Sequence, residues 1–285
     1  MVHKDLTGKH SGGQIVKYRR DTGLHAGQMY ETDLTDEEWA IVQPLLRKAE
    51  GSGKAQQIDL RRIVNAILYI ARTGCQWRML PKDFPKWQSV YYHFAKWRDD
   101  HTWERIHDDL AAMVRVKAGK DPTPSMLLVD SQSVKSTESA GMRAFDGGKR
   151  IKGIKRHFAV DTMGMIHGLY VTPANVDDGV GAEEMLGGLR KTLPRLTKIL
   201  ADGGYRGEYL ESWIEENLHA SLEVVTVEKG QKTFIVQAWR WVVERTISWV
   251  NRNRRLSKDY EYLPGTAESF VFISMATLML KRLVL

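Results

Sequence analysis

Cysteine is nearly absent: Cys75 is the single one in 285 residues. That excludes a disulfide framework and any zinc site built on two or more thiolates, and it suits a reducing compartment. Long apolar runs are also missing. The best candidate, residues 269–280, carries Ser and Thr and fits a buried core helix better than a membrane span. The amino-terminal stretch is charged throughout and has no apolar segment of a secretory leader, so a soluble, cytoplasmic protein without membrane contact is expected. Neither an internal repeat nor a low-complexity segment is visible. The chain is otherwise ordinary, with 42% hydrophobic and 27% charged residues, which excludes wholesale disorder. Its charge leans one way. Lys and Arg number 42 against 35 Asp and Glu, a formal +7, which favours a polyanionic partner.

The length sits between one large domain and two small ones. Residues 1–28 hold no apolar period and read as a mobile basic arm. Helical grammar follows over 29–118. Thr35 and Glu38 have capping-box spacing before a first helix, Gly74 closes a second over 59–73, and two more are expected over 87–99 and 103–116. The stretch 75–85, with two prolines, reads as a packed turn. Helix, compact turn and helix, with Gln88, Ser89, His93 and Lys96 on one polar side, fit a helix-turn-helix module; a plain helical bundle fits the same pattern. Lys, Gly, Asp and Pro over 116–124 mark the boundary to a second domain, 119–285.

There the pattern turns to strands. Apolar runs over 126–129 and 198–201, a hairpin over 157–171, and a further strand over 222–227 alternate with helices near 182–191, 208–216 and 236–255. This is α/β grammar, a mixed five-stranded sheet with helices on its faces. Asp130 and Asp202 stand out because each closes a wholly apolar strand, where a charge is either at the sheet's carboxyl end or costly to bury. Side by side, two such anions call for a cation, and oxygen-only donors point to Mg²⁺ or Mn²⁺. Glu244 is the third candidate. On its helix Arg240, Ser248, Asn251 and Arg255 share its face, which suits a metal ligand flanked by phosphate contacts; an Arg240–Glu244 ion pair has the same spacing. Arg252, Arg255 and Lys258 extend the positive run. A second basic stretch, 131–157, includes Lys135, Lys155 and Arg156 and reads as a flexible loop. A solvated surface would also account for such charge, but both runs flank the carboxylates, which favours a phosphate backbone.

Several strings carry a family resemblance. Thr73-Gly74-Cys75-Gln76-Trp77-Arg78-Met79-Leu80-Pro81 and Trp87-Gln88-Ser89-Val90-Tyr91 resemble the amino-terminal region of bacterial insertion-sequence transposases. Leu128-Val129-Asp130-Ser131, Lys155-Arg156-His157, Thr172-Pro173-Ala174-Asn175, Ala201-Asp202-Gly203-Gly204-Tyr205 and Val243-Glu244-Arg245-Thr246 resemble the catalytic core of the same group. These are the DDE transposases of the insertion-sequence-five family, and the likeness runs from Met29 to near Leu283.

The resemblance implies an RNase H-like catalytic domain behind an all-helical DNA-binding domain. It implies that Asp130, Asp202 and Glu244 are catalytic and hold two divalent cations, Mg²⁺ or Mn²⁺, about 4 Å apart, which ionise the attacking oxygen and stabilise the leaving one. The expected substrates are double-stranded terminal inverted repeats and target DNA, cut and then joined by a homodimer or higher assembly in the bacterial nucleoid. The DNA contacts would come from Arg240, Arg252, Arg255, Lys258, Lys135, Lys155, Arg156, Gln88, Ser89, His93 and Lys96. The broader signature is matched at Arg240 and Glu244 but has Gln237 in place of Tyr and Asn251 in place of a cation, with Arg252 one position on. Alternative readings are an RNase H-like nuclease that cuts without joining and a non-catalytic DNA-binding derivative. Asp161, Asp177 and Asp178 are the competing acids; a turn would account for the first and a helix cap for the others.

Overall fold

The computed structural model of the chain describes residues 29–46, 59–225 and 239–285, so the amino-terminal arm lies outside the described residues. Helix α1 (Asp36–Val42) starts on the expected capping box. The Thr35 hydroxyl accepts the Glu38 N–H at 3.2 Å, and the Glu38 carboxylate accepts the Thr35 N–H at 2.9 Å. Asp59 caps α2 (Leu60–Thr73) by accepting two backbone N–H groups, and Gly74 ends it at φ 72°. A Cβ there would come 3.2 Å from Arg254, so glycine serves both the left-handed cap and a close approach. Helices α3 (Trp87–Asp99) and α4 (Thr102–Lys117) complete the set, joined through Asp100 and His101.

The segment between α2 and α3 is longer than the turn of a simple helix-turn-helix. It spans residues 74–86 and contains its own 3₁₀ turn at Trp77–Met79, whereas a helix-turn-helix uses a turn of about 3–4 residues. The tight connection is the one between α3 and α4, but α4 turns Glu104, Asp108 and Asp109 outward, a poor face for DNA.

Among the described residues the sheet has six strands rather than five: β1 (Met126–Lys135), β2 (Ala144–Asp146), β3 (Ile151–Val160), β4 (Ile166–Pro173), β5 (Lys198–Ala201) and β6 (Ser221–Val224). Strand β1 is central, antiparallel to β3 and parallel to β5; β6 runs parallel to β5, β4 pairs the other side of β3, and β2 is a short ribbon on the start of β3. This is the RNase H-like mixed sheet. The stretch expected as a flexible loop is largely strand. Strand β1 continues to Lys135 in unbroken register with β3, Ser131 opposite His157 and Ser133 opposite Lys155. The paired residues are polar, so hydrophobicity did not mark them as strand. At the β3–β4 turn Gly164 takes φ 83°, and a Cβ there would come 2.6 Å from Thr246 Oγ1.

Helices α5 (Asp178–Leu186), α6 (Leu189–Thr192) and α7 (Glu208–Leu218) cover one face of the sheet, packing Leu186, Leu189 and Ile214 on Leu127, Val129 and Ile199. The other face takes α8 (Arg240–Asn251) and α9 (Pro264–Val284). Helix α9 is apolar nearly all round because it is surrounded. Its Phe270 and Ile273 share one core with Ile63, Phe94 and Leu110 of the helical region and with Leu128 and Phe158 of the sheet. At about 1.5–3 kcal/mol for each large apolar side chain, this burial ties the two regions together. The change at residue 118 is therefore a change of secondary structure within a continuous core.

Candidate active site

Parallel register places the first two acids. Strands β1 and β5 pair Leu128 with Leu200 and Val129 with Ala201, and the next residues on the two chains are Asp130 and Asp202. Leu128 and Leu200 share a core with Val242, Val243 and Val250 of α8. Side chains alternate along a strand, so the two aspartates, each two residues further on, face the same α8 side. Asp202 keeps extended backbone (φ −84°, ψ −179°) and its Oδ1 accepts the Gly204 N–H at 2.9 Å, starting the one-turn helix Gly203–Tyr205. Asp130 Oδ1 accepts the Ser131 N–H at 2.7 Å.

Glu244 lies on α8, which packs across β1 and β3. The helix is pinned at its far end, where Gln132 Nε2 donates to Asn251 Oδ1 at 3.3 Å. Glu244 is exposed, two turns before that contact. The structure thus brings Asp130 and Asp202 together and keeps Glu244 on the facing helix. Among the described residues no three His, Cys, Asp or Glu side chains gather within reach of one ion. The donor chemistry of the pair fits a hard divalent cation.

A fourth acid stands beside them. Asp177 takes the cap of α5, accepting the Gly179 N–H at 2.8 Å, which leaves Asp178 at the first helical position. Asp178 Oδ1 accepts from Ser131 Oγ at 2.8 Å and from Lys155 Nζ at 2.9 Å. Burial works against its charge, but the hydrogen bonds from Lys155 and Ser131 and the charges of Lys155 and Lys149 outweigh it and hold the carboxyl below its ordinary range. Lys149 Nζ also donates to the Ser131 carbonyl at 3.2 Å. The Gly203–Tyr205 turn passes close by: a Cβ on Gly204 would lie 3.1 Å from Asp202 Oδ1 and 3.5 Å from Asp178 Oδ2. The buried Tyr205 hydroxyl is pushed well above the phenol range by burial and by the charges of Asp178, Asp130 and Asp202, so it stays protonated beside the acids. In the sequence Asp178 is a competing acid for the site, with a helix cap as the simpler account. The missing signal is the β1–β3 register, which pairs Ser131 with His157 and Ser133 with Lys155 and so brings Ser131 and Lys155 on adjacent strands to Asp178.

Asp161 belongs elsewhere. It is fully buried, paired with Arg115 and His167, and its Oδ1 accepts the Met163 and Met165 N–H groups at 2.8 and 2.9 Å. It holds the β3–β4 turn to α4.

The cations divide in the same way. Arg156 is 1% exposed and donates to the Leu256 carbonyl at 3.0 Å; burial lowers its guanidinium pKa to about 10. Arg255 is also buried, forked onto Glu261 at 2.6 and 3.1 Å and reaching the Cys75 carbonyl at 3.3 Å. Helix α8 ends at Asn251 and the chain resumes as a 3₁₀ turn at Arg254–Leu256, so Arg255 never joins the Glu244 stripe. Both are corrected from phosphate contacts to internal ties. Lys155 is likewise occupied, on Asp178 and on the Val176 carbonyl at 2.6 Å. Lys135, Arg252 and Lys258 are exposed, and Arg240 opens α8. On α3, Gln88 and Lys96 are exposed beside half-buried Ser89 and His93; burial and then the charge of Lys96 lower the His93 imidazole pKa.

An RNase H-like sheet with paired aspartates where its parallel strands end is the framework of a nucleic-acid phosphoryl-transfer domain. Residues 121–279, more than half the chain, match the family model of the transposase DDE domain. Residues 34–107 match DUF4096, a transposase model of the IS4/5 family. The chain therefore belongs to the DDE transposases. Among curated relatives, an uncharacterized 16.2 kDa protein of insertion element IS402 from Burkholderia cepacia is 28% identical over 110 residues, 36% of this chain and 73% of that protein. The uncharacterized protein y4sN of Sinorhizobium fredii is 23% identical over 117 residues, 41% of this chain and 87% of its own length. No helix among the described residues is long and apolar enough to cross a membrane.

Proposed function

We propose that this transposase binds the terminal inverted repeats of an insertion sequence and catalyses metal-dependent cleavage and strand transfer, with Asp130, Asp202 and Glu244 as the catalytic carboxylates. The observation that carries the reading is the side-by-side placement of Asp130 and Asp202 on one face, beneath the helix that bears Glu244. The two aspartates would hold Mg²⁺ or Mn²⁺, with Glu244 approaching from α8. Bound there, the cations would lower the pKa of an attacking oxygen and offset charge on the leaving one.

The protein's own groups do the positioning. Asp178, Lys155 and Ser131 fix β1 just past its last pair with β5, so that the Asp130 carboxylate is presented from a braced strand. The protonated Tyr205 hydroxyl adds a donor to an otherwise acidic pocket. Exposed Lys135, Arg252 and Lys258 attract the phosphate backbone, and the Gln88–Lys96 face of α3 contacts the element end. One centre serves two displacements at phosphorus. Water cuts the strand and frees a 3′-hydroxyl; that hydroxyl then attacks target DNA, expelling the target's own 3′ oxygen. Two ends must be held together for a concerted insertion, which favours a dimer or larger assembly. Incubating the protein with DNA bearing the repeats that flank its gene, in Mn²⁺, should give nicked and then covalently joined products. Nicks without joined products would reduce the activity to a nuclease; DNA binding without nicks would leave a binding protein.

A further inference from the structure

A cleft of about 280 Å³ opens where the helical region meets α8 and α9, away from the acidic pair. Three cations among the described residues line it: Arg72 near the end of α2, Arg252 just after α8 and Lys281 near the end of α9. Glu31 is the one acid among the described residues of its wall. Helix ends favour cations one at a time, but that does not explain why three converge on one cavity.

The wall also carries donors. Thr32 lines the cleft with a buried hydroxyl that has no hydrogen-bond partner. Arg72 spends one N–H on the Arg252 carbonyl at 2.7 Å and keeps the rest of its fork. Trp249, on the same wall, carries the Arg245 and Arg282 guanidiniums over its ring at 4.8 and 4.6 Å, which adds positive potential behind the cavity. A concave, cationic cleft of this size, with apolar Leu68, Trp249 and Leu278 beside its donors, suits a phosphate with part of its sugar.

We propose that this cleft is a phosphate-binding site that takes a backbone phosphodiester of the DNA on which the enzyme acts. The proposal rests on the transposase reading above. Arg252 lies eight positions after Glu244, about 12 Å along α8, and a DNA strand carries a phosphate every ~3.4 Å of rise. A strand entering the acidic centre would therefore place a phosphate a few nucleotides away in the cleft. The α2 wall would then couple the helical region to the reacting strand.

The test is metal-free DNA binding by the full chain over a salt series, so it does not depend on the carboxylates. Arg72→Gln and Lys281→Gln should each weaken binding to a terminal-repeat duplex several-fold, and the double variant about tenfold, with the salt slope falling by about one unit. Arg72→Lys, which keeps the charge if the Arg72–Arg252 contact is needed for folding, should recover most of the slope. Lys191→Gln, an exposed cation on α6 across the sheet, is the control and should change neither. Pocket variants indistinguishable from this control would overturn the proposal while leaving the transposase reading intact. Saturable binding of ATP or inorganic phosphate that needs Arg72 and Lys281, with DNA affinity unchanged, would also overturn it, in favour of a free-anion site. An unaltered chain that binds no DNA at all would defeat both readings.

Discussion

Asp161 and Asp178 share burial, an ion pair and a lowered carboxyl pKa, and differ in place. Each is a buried or half-buried acid, each is held by a cation and a second donor, and each has a carboxyl pKa below its ordinary range despite burial. Asp161 sits at the β3–β4 turn, where its oxygens close the turn and grip Arg115. Asp178 sits where β1 and β5 part, one turn of chain from Asp202. Pairing and burial therefore do not identify a working acid. Position relative to the ends of the parallel strands does.

The widest separation should come from the acids at those ends. Asp130→Ala or Asp202→Ala should lower strand cleavage by about 10³-fold or more, with an unchanged urea midpoint; cleavage that survives either change removes that residue from the site. Asp161→Ala should do the reverse. It leaves the Arg115 guanidinium buried without its partner and should cost about 3–5 kcal/mol in urea unfolding. A loss of less than ~1 kcal/mol would mean that Arg115 finds other acceptors.

Asp178→Asn sharpens the comparison further. Its expected effect is a fall of about 10–100-fold in cleavage with little change in stability, the mark of a residue that braces ligands. A stability loss as large as that of Asp161→Ala would make the two acids equivalent after all. The smallest effect belongs to Glu268 on α9, an acid that accepts the Val171 N–H at 3.0 Å and whose carboxyl burial raises to about 7. The folded state holds this proton more tightly than the unfolded chain, in which the group titrates near 4.5. Its support is thus full below that pH and is lost as the pH rises through about 7. Glu268→Gln should stabilise the protein by about 1–3 kcal/mol at pH 8 and by almost nothing at pH 4.5; equal effects at both would place its pKa elsewhere.

Where the residues carry a local physical reason, the sequence was readable. The Thr35–Glu38 box, the Gly74 cap and the apolar starts of β1 and β5 all lie where their chemistry demands. The second half of β1 was hidden because its side chains are polar and its partners come from β3. Arg156 and Arg255 looked like surface charge because the groups that bury them, the Leu256 carbonyl and Glu261, become neighbours only through the 3₁₀ turn after α8. The helix expected near 236–255 ends at Asn251, and Trp239 stands 39% exposed at φ 75°, before the first turn of α8. Helical periodicity describes a helix only between its real ends.

The central claim is that Asp130, Asp202 and Glu244 act on one cation site. Iron-generated hydroxyl-radical cleavage of the DNA-bound protein reads this directly, since Fe²⁺ in the Mg²⁺ position cuts nearby backbone. The account predicts cuts in three separated segments, around residues 130, 202 and 244, all suppressed by excess Mg²⁺. Cuts confined to the first two segments, with none near Glu244, would contradict it.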